Sequence, residues 1–280
     1  MKKLIDRKNL NPKYEYLYND ADSSGEAIER FIELVSVLRK LCPWDKEQTH
    51  ESIRRGMIEE AYEVVEAINN KDFDNLKEEL GDVLLQVVFH AGLTSEEGEF
   101  DFKDIVNYEC EKMIRRHPHI FSDGEAKTVD KVLEKWENIK SKEHGNIAYT
   151  ERIKDVPKAL PALTRSEKVQ KRAADAGFDW DDLSGPIQKV GEELQEFCDA
   201  RDEGDFSCMK EELGDLLFSV VNLSRMAKID PEESLNCATE KFIDRFAMLE
   251  KTANDLGKSL SEMTLNEMDE LWNQIKNTSC

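Results

Sequence analysis

Two groups of acidic side chains recur at a constant spacing in this 280-residue sequence. A shift of 133 positions superimposes one group on the other, and it also superimposes KDFDNLKEELGDVLLQVV at 71–88 on GDFSCMKEELGDLLFSVV at 204–221. Clustered carboxylates are ligands for hard cations such as Mg²⁺. A Mg²⁺ ion takes only some of its ligands from the protein, and its remaining coordination positions are open to water and phosphate oxygens. The first cluster is Glu60, Glu63, Glu79 and Asp82, and the second cluster is Glu193, Glu196, Glu212 and Asp215.

Each cluster is predicted to lie on two antiparallel helices. At about 100° per residue, Glu60 and Glu63 border the apolar face of one helix, from about 53 to 69, and Glu79 and Asp82 border that of the next. The turn at 69–72 is short, so the two helices must be antiparallel neighbours with their acids at similar heights. Like charges this close repel and raise one another's pKa unless a cation is present. We therefore expect Mg²⁺ at each cluster, with Mn²⁺ as a substitute ion.

Other interpretations of these polar residues are less consistent with the sequence. A solvated acidic face would not place the acids beside the apolar face in both repeats. Glu47-x-x-His50 resembles half of a di-iron site, but none of the five histidines completes a second Glu-x-x-His pair. His117-x-His119 has metal-like spacing, but the proline between them and the turn at 122–124 favour a structural role.

The elements that position the clusters are predicted to be helices. Only 13 Gly and 7 Pro together with 35% charged residues are typical of amphipathic helices. Capping boxes at Ser23-x-x-Glu26 and Thr264-x-x-Glu267, and an Asp-Pro pair at 230–231, indicate helix starts, whereas no alternating run indicates a strand. We expect an all-α chain with an N-terminal extension (1–24), a first helical domain (25–145), a linker (146–161) and a second helical domain (162–280).

The composition excludes several functional classes. A net charge of −21 is the wrong sign for a nucleic-acid polymer, whose binding depends on Lys and Arg. No apolar run reaches the ~18 residues of a membrane span, and no signal-peptide core follows the basic start. The six cysteines form no Cys-x-x-Cys pair, and P-loop, dinucleotide and zinc-protease motifs are absent. We expect a cytoplasmic protein without nucleic-acid or membrane partners.

The motifs together resemble those of a known family. EExxE followed by ExxD on the next helix, Cys42-Pro43-Trp44-Asp45-x-x-Gln48-Thr49-His50 and the Arg-His-Pro-His segment at 116–119 resemble the tandem form of the bacterial MazG family. The resemblance covers the chain from about residue 25 onward. It implies two tandem helical bundles of the all-α NTP pyrophosphatase type.

The resemblance also implies an activity. Its members hydrolyse a nucleoside triphosphate between the α and β phosphates in a Mg²⁺-dependent reaction that releases a monophosphate and pyrophosphate. Both clusters would bind metal, and the second cluster would be catalytic. No residue indicates which base is preferred or whether the sugar is ribose or deoxyribose. The positions that would contact substrate are Lys189, Lys241, Arg245 and Trp272 in the second repeat and Lys112 and Arg116 in the first.

The two repeats differ at one cationic position. The shift of 133 places Gly56 where the second repeat has Lys189, which precedes Glu193 by one helical turn. We therefore expect the second repeat to be the main active site.

The alternative to an enzyme is a non-catalytic helical protein that senses nucleotides or divalent ions. Helical units of this kind often complete their core against another copy, so we also expect a homodimer.

Overall fold

The computed structural model describes residues 11–122, 128–129, 131–132, 135–136, 139, 143 and 148–278. The first ten residues of the expected extension, the turn residues Asp123 and Gly124, the linker residues 146–147 and Cys280 lie outside the described residues. Within the described residues the regular elements are α-helices and short 3-10 turns without a strand, which confirms the all-α prediction. The chain divides into two compact units, Met1–Glu143 and His144–Cys280.

The first unit is organised around a long helical hairpin. Helices α3 and α4 pack along each other, and α1 and α5 pack on α4. Their apolar faces enclose a core in which Val35, Ile53, Val88, Phe89 and Leu93 are buried. The helices are α1 (Ser24–Leu41), α2 (Pro43–Glu47), α3 (His50–Asn70), α4 (Phe73–Glu97), α5 (Phe102–Arg116) and α6 (Pro118–Phe121), after a 3-10 turn at Pro12–Leu17.

The second unit repeats the hairpin. Helices α9 and α10 pack along each other, α8 packs on α10 and on α11, and α12 packs on α11. The segment expected to be a linker contains α7, which packs on α8, and Arg172 of α8 donates a hydrogen bond to the carbonyl of Arg152. The helices are α7 (Tyr149–Lys154), α8 (Ala162–Ala174), α9 (Ser184–Glu203), α10 (Phe206–Met226), α11 (Pro231–Asp255) and α12 (Leu265–Thr278), with a 3-10 turn at Leu260–Glu262.

The helix starts follow the local sequence closely. Thr264 and Glu267 form the reciprocal capping box that the spacing predicts, and Asp230 caps α11 ahead of its first-turn proline. Ser23 caps α1 by accepting a hydrogen bond from the Glu26 amide. The Glu26 carboxylate, however, accepts from the amide of residue 22 rather than that of Ser23, so only half of that box forms.

The turns of the two hairpins are equally short. Lys71 has a left-handed backbone with φ 55°, and the position equivalent to it by the shift of 133 is Gly204, with φ 72°. A residue with a side chain is strained in this conformation, whereas glycine is not. Asp72 and Asp205 then cap α4 and α10 by accepting hydrogen bonds from backbone amides. The tight reversal brings the acidic segments of consecutive helices side by side.

No helix among the described residues combines the length and the hydrophobicity needed to cross a membrane. The cysteines in the described part of the chain are all free thiols. The helical units are therefore stabilised by packing and hydrogen bonds there, without disulfide cross-links.

Candidate metal and substrate site

The first cluster gathers on the α3–α4 hairpin. Carboxylate oxygens of Glu60, Glu63 and Glu79 lie within 4.8 Å of one another. Asp82 is not part of this 4.8 Å group, but it lies near enough for its charge to contribute to the raised pKa of Glu60. Burial is the largest cause of that raised pKa, followed by the charges of Asp82 and Glu63. The pKa of Glu79 is also raised, by burial and then by its interaction with Glu63. The hairpin thus concentrates negative charge beside the core.

The second cluster lies at the equivalent positions of α9 and α10, but different members of it converge. Carboxylate oxygens of Glu193, Glu212 and Asp215 lie within 4.8 Å of one another. Glu196 joins them through Glu193, and its pKa is raised by burial and then by the charges of Glu193 and Glu212. Glu193 is only 4% exposed. A carboxylate so deeply buried requires a compensating cation or hydrogen bonds.

Glu192 also belongs to the second cluster, which helical periodicity does not predict. Its carboxylate approaches those of Glu193 and Glu196 within the same 4.8 Å limit. The angular position of Glu192 is away from the apolar face, but a glutamate side chain is long enough to bend back toward its neighbours. The adjacent pair of glutamates in EExxE was the signal that could have identified it.

The chemistry of these groups fits a hard divalent cation. All of the converging donors are carboxylate oxygens, which Mg²⁺ and Mn²⁺ accept and softer metals do not prefer. Burial is the first cause of the raised pKa values of Glu60, Glu79 and Glu196, and the neighbouring carboxylates are the second. A divalent ion at each cluster would offset the negative charge of that cluster's carboxylates, Glu60, Glu63, Glu79 and Asp82 in the first and Glu193, Glu196, Glu212 and Asp215 in the second.

The raised pKa values predict how stability depends on pH. Glu60, Glu79 and Glu196 hold protons more tightly when folded than in the unfolded chain, where the pKa of glutamate is about 4.5. Folding therefore takes up protons, and with a chelator present we expect unfolding free energy from these groups to fall as pH rises through the range just above 4.5. Urea unfolding at a series of pH values checks this. Glu60→Gln should reduce the dependence and Glu66→Gln, an exposed control, should not; equal slopes would contradict the assignment.

Lys189 supplies a positive charge within the second cluster. Its ammonium group forms ion pairs with Glu193 and, at 2.8 Å, with Glu192 Oε1. Hydrogen bonds to Glu192 and then Glu193 raise the pKa of Lys189. The ammonium ion therefore occupies part of the space that a divalent cation or a phosphate would need.

The first cluster has a neutral amide at the corresponding place. A Cβ atom on Gly56 would lie 2.7 Å from Nε2 of Gln86, so the Gln86 side chain passes over the glycine. The shift of 133 places Ser219 at the position of Gln86, and the Ser219 hydroxyl donates a hydrogen bond to the carbonyl of Leu216. Where the second repeat has Lys189 and Ser219, the first repeat therefore has Gly56 and Gln86. Gln86 was not identified from the sequence, because its contact joins α3 to α4.

The remaining cationic positions are paired elsewhere or exposed. Lys112 forms an ion pair with Glu109, and Arg116 pairs with Glu143 Oε2 at 2.6 Å while lying over the Trp136 ring. Among the described residues, none of these four substrate candidates forms an ion pair with either cluster: Lys112, Arg116, Lys241 and Arg245.

Trp272 is placed in an apolar contact. Its ring centroid lies 5.3 Å from that of Phe242, which joins α12 to α11. Lys241 precedes Phe242 and is exposed, and Arg245 is partly buried on the same helix. The structure thus places Lys241 and Arg245 on α11 and Trp272 on α12, and in the part of the chain that it describes none of the three forms a hydrogen bond, ion pair or ring contact with the second cluster.

The other motifs have structural roles in the first unit. Arg39, buried on α1, forms a 3.0 Å and a 2.6 Å hydrogen bond with Glu96 and also donates to the carbonyls of Asp45 and Gln48. It thereby holds the segment that carries the Cys-Pro-Trp-Asp motif against α4. His117 bonds the carbonyl of residue 113 and packs on Trp136, which supports the structural interpretation of the His-x-His pair.

The fold and the site define an all-α protein with two helical units, each of which presents on a hairpin a carboxylate cluster that could hold a metal ion. A family model described as the MazG nucleotide pyrophosphohydrolase domain matches residues 48–121 and 186–247. The chain is 44% identical over 251 residues to the nucleoside triphosphate pyrophosphohydrolase/pyrophosphatase MazG of Thermotoga maritima, covering 88% of this chain and 95% of that protein. It is also 44% identical over 254 residues to the nucleoside triphosphate pyrophosphohydrolase of Escherichia coli K12, covering 89% and 97%.

A third relative is named only as the uncharacterized protein YabN of Bacillus subtilis. It is 46% identical over 249 residues, which make up 87% of this chain and 51% of that protein.

The chain belongs to the MazG family. It is accordingly an enzyme, a hydrolase that acts on acid anhydrides.

Proposed function

We propose that the chain hydrolyses nucleoside triphosphates between the α and β phosphates in the presence of Mg²⁺, giving a nucleoside monophosphate and pyrophosphate. The observation that carries the proposal is the convergence of Glu193, Glu212 and Asp215 beside the Lys189 ammonium group. The three carboxylates could bind a hard metal cation, and the ammonium group could bind a phosphate. The names of the relatives from Thermotoga maritima and Escherichia coli state the same class of activity.

The residues of the second cluster would share the chemical work. Mg²⁺ bound by these carboxylates would supply charge neutralisation of the triphosphate and a lowered pKa of bound water. A carboxylate not fully used as a ligand would accept the proton of the attacking water. The water oxygen then bonds to the α phosphorus, the bond from that phosphorus to the bridging oxygen breaks, and pyrophosphate leaves with that oxygen.

The cationic residues would bind and orient the phosphates. Lys189 is one helical turn from Glu193, so its ammonium group can transfer from the glutamates to a phosphate oxygen when the metal binds. Lys241 and Arg245 would contact the phosphates from α11, and Trp272 would lie near the base, as the family resemblance implies. In the first repeat Lys112 and Arg116 would have to leave Glu109 and Glu143 to do the same.

We further propose that the second repeat carries most of the turnover. The first repeat has Gly56 and the Gln86 amide where the second has a lysine. A neutral amide attracts a triphosphate far less than an ammonium ion does. The first cluster would then bind metal with weaker or more restricted hydrolysis. The functional domains would span 25–145 and 162–280, joined by 146–161.

Exposed apolar side chains on both hairpins support a homodimer as part of the proposal. Contiguous apolar surface on a soluble domain often marks an interface, and a second copy would cover it. Light scattering coupled to gel filtration would measure the mass in solution. The exposed apolar residues include Ile58, Tyr62, Val65, Leu80 and Leu84 in the first unit and Leu194, Leu213, Leu217 and Val220 in the second.

A cytoplasmic protein without nucleic-acid or membrane partners is also part of the proposal, and it is in keeping with the net charge of −21.

A pyrophosphate-release assay tests the proposed activity. The common ribonucleoside and deoxyribonucleoside triphosphates would each be incubated with the full chain, with and without Mg²⁺, and with Mn²⁺ as the alternative ion. We expect equal amounts of monophosphate and pyrophosphate, dependent on the metal. Release of single phosphate instead of pyrophosphate would contradict cleavage at the α phosphorus. Nucleotide binding without any turnover would favour the alternative, a sensor of nucleotides or divalent ions.

A further inference from the structure

Two histidines meet between the helices of the first hairpin. His50 is the first residue of α3, and His90 lies on α4. Their Nδ1 atoms are 2.6 Å apart, their ring centroids are 4.9 Å apart, and the ring planes differ by 8°. The centroid separation exceeds the nitrogen separation by 2.3 Å, which is about the diameter of an imidazole ring. The rings therefore lie edge to edge in nearly one plane, with the two Nδ1 atoms pointing at each other.

This geometry specifies where the histidine pair carries its protons. A neutral imidazole has one N–H group and one acceptor nitrogen. Because the two Nδ1 atoms face each other, one of them must donate and the other must accept, so neutral His50 and His90 are opposite tautomers. A first proton enters at Nε2 of the donor ring and strengthens the hydrogen bond, since the donor is then charged. A second proton has to enter at the accepting Nδ1, where it places two N–H groups against each other and breaks the bond.

The histidine pair lies at the open end of the hairpin that carries the first cluster. Between the pair and the turn at 69–72 lie first the contact of Gln86 with Gly56 and then the four carboxylates. His50 precedes Glu60 by ten residues, which is about 15 Å along α3. The hydrogen bond therefore holds the start of α3 against α4 at the end away from the turn, and with it the helix that supplies half of the first cluster.

The second hairpin has leucines at both of these positions. The shift of 133 places Leu183 at the position of His50 and Leu223 at the position of His90. Leu183 directly precedes α9, and Leu223 lies on α10. Both residues differ together between the repeats, as expected for two side chains that contact each other. Leucine binds no proton, so the corresponding end of the second hairpin does not respond to pH at these positions.

Burial and the partner ring set the proton affinity of the histidine pair. Burial is the first cause of the lowered pKa of His90, and the charge of His50 is the second. The second proton is therefore bound more weakly than by an isolated histidine. On α3 itself, the exposed Glu51 and Arg54 flank His50, and the charge of His50 contributes to the lowered pKa of Glu51. The charged groups on the elements around this end are Arg39 on α1, which pairs with Glu96 on α4, Glu47 on α2 and Asp104 at the start of α5.

We propose that the histidine pair is an acid-sensitive latch on the first hairpin, which is closed at neutral pH and opens when the pair binds a second proton. Opening releases the start of α3 from α4 and weakens metal binding at the first cluster, while the second hairpin stays closed. The effect on the metal rests on the proposed function of the clusters, whereas the latch itself does not. Acid then regulates the first repeat separately from the second.

The effect of pH on the latch has a definite sign. In the unfolded chain the pKa of histidine is about 6.5, and in the folded chain the second proton is bound less readily. The latch therefore contributes stability above about pH 6.5, and this contribution is lost as the pH falls below that value. The direction is opposite to that expected for Glu60, Glu79 and Glu196, whose contribution is lost as the pH rises. Comparison of variants at the same pH separates the two effects.

Hydrogen exchange of the full chain, followed by mass spectrometry of its peptides, tests the latch without metal or nucleotide. The double variant with His50→Leu and His90→Leu copies the second hairpin and cannot bind the proton. Between about pH 7.5 and about pH 5.5, we expect the ratio of exchange rates in α3 and α4, unmodified chain over variant, to rise about tenfold, the effect of one unit of pKa. Peptides from α9 and α10 are the internal control, and their ratio should stay constant. A constant ratio in α3 and α4 as well would overturn the latch.

The protons of the pair can also be observed in the unmodified chain. NMR of the chain with isotope-labelled histidine distinguishes Nδ1–H from Nε2–H, and the signals absent from the double variant belong to His50 and His90. We expect opposite tautomers at neutral pH and two proton-binding steps that differ in affinity by about tenfold or more. The same tautomer in both rings, or two steps no further apart than those of independent sites, would overturn the latch.

The effect on the metal site is measured by calorimetric Mg²⁺ titration in a chain that carries Glu193→Gln. At about pH 5.5 we expect the added His50→Leu and His90→Leu changes to raise the Mg²⁺ affinity of the first cluster about fivefold, and at about pH 7.5 to leave it unchanged. The same affinity at both pH values with and without the leucines would overturn the coupling to the metal. Absence of pyrophosphate release by the unmodified chain would instead overturn the proposed function, without altering the exchange and NMR results.

Discussion

Replacing Glu193 by glutamine should lower kcat for pyrophosphate release by about 100-fold or more, a loss typical of removing a charged group from the metal site. Glu193 is common to both sets of converging carboxylates in the second cluster and is its buried member. Glutamine keeps the shape and removes the charge, so the fold should be retained and the mutual repulsion reduced. The measurement is kcat and KM at saturating Mg²⁺, with the melting temperature as a check on folding.

The matching change in the first repeat is the sharper part of this experiment. Glu60→Gln should leave most of the turnover in place, because the first cluster lacks the lysine. Glu211→Gln, at an exposed position beside Glu212, should leave kcat unchanged. Equal losses of kcat from Glu193→Gln and Glu60→Gln would contradict the assignment of the main site to the second repeat. Calorimetric Mg²⁺ titration of each variant would show independently whether its cluster still binds metal.

Replacing Lys189 by methionine should lower kcat/KM by about 10- to 100-fold, the range expected when a charge-assisted hydrogen bond to a phosphate is lost. The same change should strengthen Mg²⁺ binding in the absence of nucleotide, because the ammonium group no longer pairs with Glu192 and Glu193. The variant should therefore have a lower kcat/KM but a higher Mg²⁺ affinity than the unmodified chain, as measured by kinetics and by calorimetry. Lys251→Met, at an exposed position on α11, is the control and should change neither.

The converse change can be made in the first repeat. Gly56→Lys together with Gln86→Ser would install the lysine and serine of the second repeat and remove the amide that passes over residue 56. Lysine also favours a helix interior over glycine by about 0.7 kcal/mol. In a chain inactivated by Glu193→Gln, we expect the double change to restore measurable pyrophosphate release. A loss of Mg²⁺ affinity after Lys189→Met, or no gain from the double change, would contradict the role given to the lysine.

Much of the architecture follows from local sequence. The capping residues at 264–267 and 230 start α12 and α11 where they are predicted, because a cap depends only on residues two or three apart. The one incomplete box, at Ser23, differs because the amide of residue 22 competes for the Glu26 carboxylate. The short turn ending at Asp72 likewise makes antiparallel helices unavoidable.

Other features depend on side-chain reach and on partners far apart in the chain. Glu192 joins the second cluster although its angular position points away from the apolar face. Arg116, assigned to the substrate by resemblance, pairs with Glu143, 27 positions away. Periodicity gives the direction of a Cβ atom, but it does not give the rotamer or the neighbour that a long side chain selects.

By itself, the sequence determined the helical class, the duplication and the eight acids that border the two hairpins, because each depends on short-range periodicity or on repetition. The tertiary structure alone decided that Lys189 is paired with two glutamates and that Gln86 takes the space over Gly56. The pairing of Lys189 is a rotamer choice within α9, which helical spacing allows but does not select. The Gln86 contact joins two helices and depends on how far apart they pack and how each is rotated, which local spacing does not specify.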